Sequence, residues 1–135
     1  RRERGGLWDV GPHALSLVLP VLGPVDRVAA MAGPRDEVHL LLGHSGGAAS
    51  TVSLAVDAPP AATAGEFVFF GEPGVFAAPD GDGTPVEAFG RAIGRLVAGA
   101  AGGAADPCDV GFARDVVAVL AAAEAARRDG VTVRL

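Results

Sequence analysis

The sequence predicts an α+β domain: an open, mostly antiparallel β-sheet with helices packed on one face and the other face at a subunit interface. Three observations predict it. Strand-like segments follow one another between residues 25 and 78 through short, glycine-marked links, which suits antiparallel neighbours rather than parallel crossovers. Helical periodicity is confined to the two ends of the chain. The segment Glu66–Phe70 is apolar on both faces, with Phe67 and Phe69 on one side and Val68 and Phe70 on the other. Such a strand needs cover on both sides, which helices and a second subunit can supply.

The first element is a helix over residues 9–22, with Leu15, Leu17, Val18, Leu19 and Leu22 as a broad apolar surface. Pro12 has no N–H and belongs in the first turn, so the helix starts near Asp9 to Gly11. Pro20 suggests a kink or an early end, and Gly23-Pro24 closes the element. Strands follow over Val25–Ala32, Glu37–Leu42 and Ala49–Val56. In the third, Val52, Leu54 and Val56 alternate with Thr51, Ser53 and Ala55. Glu66–Phe70 and Gly74–Ala78 flank Gly71-Glu72-Pro73-Gly74, a strong hairpin signal.

Thr84-Pro85-Val86-Glu87 has the spacing of a capping box with proline at the first helical position. Its helix runs to about Ala98 and turns Val86, Phe89, Ile93, Leu96 and Val97 inward. After a small-residue linker, Asp106-Pro107 starts the last helix, on which Phe112, Val116, Val119, Leu120 and Ala123 recur at helical spacing. Gly130 stops it, and Val131–Leu135 forms a final strand. No internal repeat and no second domain is visible, so residues 1–135 read as one domain.

Composition narrows the function. With half its residues apolar and a fifth charged, the chain belongs with globular rather than disordered proteins. A net charge of -5 disfavours nucleic acid and anionic membranes as partners. No apolar run reaches the ~20 residues of a membrane helix, and Arg1-Arg2-Glu3-Arg4 leads into glycines rather than a signal-peptide core. The single cysteine, Cys108, excludes an intramolecular disulfide and indicates a reducing compartment, the cytoplasm. There is no lysine and no tyrosine, so Schiff-base chemistry and a tyrosine proton donor are excluded within this chain.

The candidate chemistry centres on Gly5-Gly6-Leu7-Trp8-Asp9-Val10-Gly11-Pro12-His13. Asp9 precedes His13 by four residues, a spacing that places both on one side of a helical turn. A carboxylate beside an imidazole can move a proton. Each residue has a structural alternative: Asp9 as an N-cap, and His13 as a partly buried polar side chain. Gly5, Gly6 and Gly11 would let a ligand approach the backbone, and would equally serve a simple turn.

The remaining groups carry less. His39 and His44 have no third ligand nearby in sequence, so no metal site is expected. Cys108, with no nucleophile motif around it, reads as a small buried side chain. Asp36-Glu37 and Asp80 to Asp82 read as solvated turn charges. Arg127 and Arg128 suit the negative end of the last helix. No Walker motif and no strand–GxGxxG–helix unit is present, so no cofactor-binding residue is assigned in this chain.

The opening run resembles the GG-x-x-x-D-x-G-x-H motif of the glucose-fructose oxidoreductase / inositol dehydrogenase / rhizopine catabolism family of NAD(P)-dependent oxidoreductases. Other segments resemble that family in the same order: Gly23-Pro24-Val25-Asp26-Arg27-Val28, then Asp36-Glu37 before Val38–Leu42, and Gly46-Gly47 before a Ser/Thr-containing strand. Phe69-Phe70-Gly71-Glu72-Pro73-Gly74, Asp106-Pro107-Cys108-Asp109-Val110 and the closing Gly130-Val131-Thr132-Val133 complete the pattern.

The resemblance implies a C-terminal substrate-binding and oligomerisation domain. NAD or NADP would be bound mainly by an N-terminal Rossmann domain absent from this chain, so the chain alone should not turn over. It implies that Asp9 and His13 line the substrate site together with Trp8, His13 as the base for a substrate hydroxyl and Asp9 binding and polarising the substrate. Ser16 stands where many members carry a second acid, a departure that bears on the substrate type. The expected substrate is a sugar, polyol or similar small hydroxy or carbonyl compound, and the expected partner a second copy through the sheet face. The alternative is a non-catalytic dimerisation module of the same fold.

Overall fold

The structure is a computed structural model that describes residues 5–79, 81 and 83–135; Arg1–Arg4 and the turn charges Asp80 and Asp82 lie outside the described residues. The helices are α1 (Gly5–Asp9), α2 (Gly11–Leu22), α3 (Pro85–Ala100) and α4 (Val110–Asp129). The strands are β1 (Val25–Ala32), β2 (Val38–His44), β3 (Ala49–Leu54), β4 (Val68–Gly71), β5 (Gly74–Ala77) and β6 (Val133–Arg134). Two compact units result, one of residues 1–58 with 110–135, the other of residues 59–109.

The first unit is an open antiparallel sheet in the order β3-β2-β1-β6, with α1, α2 and α4 on one face. The period of β2 shows why. Val38, Leu40, Leu42 and His44 are buried beneath the helices, while His39 and Leu41 between them face away. Val28, Val52 and Leu54 from the neighbouring strands extend the same apolar layer. From above, α4 contributes Val116, Val119, Leu120, Ala123 and Ala126 at helical spacing. Its buried alanines, Ala122, Ala123 and Ala126, let the helix lie close to β1.

The opposite face of the sheet is open. Register places Met31 beside His39 and His39 beside Ser53, with Leu41 between Ala29 and Thr51. Met31 is 73% and Leu41 55% exposed, so this face mixes apolar and small polar side chains in the same rows. His39 Nδ1 and the Ser53 hydroxyl lie 3.0 Å apart across the β2–β3 pair.

His44 is the one buried polar residue among the described residues, and it ends β2, two residues beyond the expected end of that strand. Its Nδ1–H donates to the Gly23 carbonyl at 2.8 Å, which leaves Nε2 to accept from the Ser50 hydroxyl at 2.9 Å. Gly23 caps α2 in a positive-φ conformation (82°) that favours glycine. His44 thus ties the end of α2 to β3, and the Ser45 N–H adds a bond to the Pro24 carbonyl at 2.9 Å.

The helix expected over residues 9–22 keeps its end and is preceded by a further turn. Helix α2 passes through Pro20 to Leu22, since a proline there removes only the bond to the Ser16 carbonyl. A helical turn, α1, also precedes the expected start.

The second unit holds β4–β5 and α3. The five central strands were expected in one sheet, but β4 and β5 form a separate two-stranded sheet while β6 joins the first. The hairpin closes through Glu72-Pro73, with Gly74 at φ 126°, and Phe69 stacks on Phe76 at 6.4 Å between ring centroids. Phe67 and Phe69 are half-buried, whereas Val68 and Phe70 are exposed. The capping box forms as the spacing indicates: the Glu87 N–H donates to Thr84 Oγ1 at 3.3 Å, and the Thr84 N–H to the Glu87 carboxylate at 2.6 Å.

The inward face expected of α3 is a correction. Val86, Phe89, Ile93, Leu96 and Val97 do share one side of the helix, but all are exposed, by 48–80%. Periodicity identifies an apolar face; it does not provide a second layer, and the described elements of this unit offer none.

Two outcomes follow from these contacts. In urea denaturation His44→Leu costs about 2–3 kcal/mol, because it orphans the Gly23 carbonyl and the Ser50 hydroxyl, and Ser50→Ala costs about 1 kcal/mol. At the start of α3, the Thr84 backbone N–H and hydroxyl hold the Glu87 carboxyl below its ordinary 4.5. A depressed carboxyl stabilises the fold fully above its unfolded value and loses that effect as pH falls through the folded one. Carboxyl NMR of Glu87 therefore titrates below 4.5, and Thr84→Ala moves the midpoint back up.

Candidate active site

The Asp9–His13 segment is almost one helix. The Val10 N–H donates to the Gly6 carbonyl and the Ala14 N–H to the Val10 carbonyl, both at 3.1 Å, so the helical bonding pattern spans the junction of α1 and α2. The interruption at Val10 has a covalent cause: Pro12 cannot donate to the Trp8 carbonyl one turn back.

This local geometry removes the capping alternative for Asp9. Val10 occupies the cap position of α2 at φ -100° and ψ -17°, with no side-chain capping bond. Asp9 instead ends α1 and is exposed. His13 is exposed as well, rather than partly buried. Four residues apart on a nearly continuous helix, they are surface neighbours, with Cβ atoms about 5–6 Å apart in regular geometry. Among the described residues no hydrogen bond or ion pair joins them. Trp8 is half-buried beside Asp9, and Leu7, 1% exposed, anchors the turn from below.

The glycines serve packing. A Cβ on Gly6 would lie 3.1 Å from the Asp36 carbonyl oxygen and 3.4 Å from the Ala55 backbone, so α1 meets the β1–β2 turn and the end of β3 backbone to backbone. On Gly11 it would lie 2.7 Å from Leu120 Cδ2, within the contact of α2 and α4. Gly6 and Gly11 are therefore packed against protein, whereas Asp9 and His13 are exposed.

Asp36, expected as a solvated charge, is half-buried and works structurally. Its carboxylate accepts the N–H groups of Val56 and Asp57, both at 3.1 Å, which fixes the turn that Gly6 rests on. The signal was its place in a tight turn: Arg35 beside it has φ 64°, and such turns recruit acids to backbone N–H groups.

The other candidates lie apart. Ser16 donates its hydroxyl to the His13 carbonyl at 2.7 Å, a backbone bond within α2. Cys108 is exposed rather than buried: α4 begins only at Val110, and the Cys108 N–H donates to the Asp106 carboxylate at 2.8 Å in the preceding turn. Among the described residues no three His, Cys, Asp or Glu side chains come together as metal ligands. Every strand pair is antiparallel, so the described residues form no parallel βαβ crevice, and they do not fit a nicotinamide dinucleotide.

No family model matches the chain, and no curated protein does. Its fold is similar to that of an oxidoreductase from Agrobacterium radiobacter solved in complex with NAD+, L-tartaric acid and magnesium. The two share 18% identity at a TM-score of 0.61 over 93% of this chain, which spans only 48% of that one. At this identity the likeness is one of fold.

If Gly6 is a packing glycine, Gly6→Ala lowers stability by about 1–3 kcal/mol in denaturant titration, since backbone atoms cannot give way. Gly46, with nothing within 4 Å of an added Cβ, is the control; Gly46→Ala stays within about 0.5 kcal/mol.

Proposed function

We propose that this chain is the C-terminal substrate-binding and oligomerisation domain of an NAD(P)-dependent oxidoreductase acting on a sugar, polyol or similar small hydroxy or carbonyl compound. The observation that carries the reading is the exposed pair Asp9 and His13, one helical turn apart and engaged in no bond to each other. It is supported by the family-like order of motifs and by a fold shared with half of an NAD+-complexed oxidoreductase.

In this reading the neutral imidazole of His13 takes the proton of the substrate hydroxyl. Asp9 accepts a hydrogen bond from a substrate hydroxyl and favours the imidazolium that forms beside it. Trp8 offers an indole face at the edge of the same site. NAD or NADP belongs to a separate domain of the full-length protein, because the antiparallel sheet here does not suit a dinucleotide. The single cysteine favours a cytoplasmic setting. Among the described residues no helix is long and apolar enough to cross a membrane.

The test joins this chain to its cofactor-binding domain and assays NAD- and NADP-linked oxidation of a panel of sugars, polyols and hydroxy acids. His13→Asn lowers kcat by about 100-fold or more, the usual weight of a general base. Full retained activity overturns the assignment.

A second reading has a specific observation behind it. Met31 and Leu41 stand exposed on the open sheet face, which suits a subunit interface and would serve a purely non-catalytic assembly module too. Sedimentation equilibrium at tens of micromolar should find an oligomer that Leu41→Glu dissociates. A module without catalysis would respond to Leu41→Glu and be indifferent to His13→Asn.

A further inference from the structure

We draw no further inference here: the strongest candidate, the exposed apolar face of α3 formed by Val86, Phe89, Ile93, Leu96 and Val97, carries nothing because nothing in the structure shows what covers it.

Discussion

Gly6 lies so close to neighbouring backbone that an added Cβ would be crowded, and the seating of α1 on the sheet depends on that close approach. A Cβ there would meet the carbonyl of Asp36 and the backbone of Ala55, so α1 rests closely on the ends of the sheet. Asp36 holds the surface it rests on by accepting the N–H groups of Val56 and Asp57. One turn later Gly11 repeats the device against Leu120, where α2 meets α4. Interiors packed this densely tolerate little added volume, so Gly6 lets α1 approach the ends of the sheet and Gly11 lets α2 approach α4. At the far end of α2, His44 secures the same layer by bonding the Gly23 carbonyl and the Ser50 hydroxyl.

The acid and the histidine lie away from the buried side of the same segment. Leu7, Gly11, Ala14 and Leu15 recur at helical spacing on the buried side, and Asp9 and His13 fall outside that set and are exposed. Pro12 adds a local break that ends α1 at Asp9 without separating the two helices, because the bonds from Val10 and Ala14 bridge it. Neither side chain has structural work of its own: Asp9 caps nothing, and His13 is not part of the core.

The second unit follows a different balance. Its local signals are strong: a capping box, a proline at the first helical position and a two-residue hairpin turn all appear where the residues place them. Yet α3 has no buried residue, and the hairpin keeps only Phe69 stacked on Phe76. Capping and turn chemistry act over three or four residues and need nothing from the rest of the chain. Burial requires a second layer, which this unit does not contain among its described elements.

What the sequence determined by itself was therefore whatever acts over short range. The eight residues of β1, the start of α3 at Pro85 and the stop of α4 before Gly130 were all legible, because alternation, caps and glycine stops are written locally. The Asp9–His13 spacing was legible for the same reason. Tertiary structure alone decided the rest. It packed the two glycines against neighbouring elements, turned the Asp36 carboxylate onto the Val56 and Asp57 N–H groups, buried His44 between two oxygen partners and left the apolar side of α3 exposed. It also divided the strands between two sheets. Apart from the His44–Ser50 bond, six positions apart, each of these outcomes depends on residues 20 or more positions away, or on a layer absent among the described residues, and no local period or cap encodes such a neighbour.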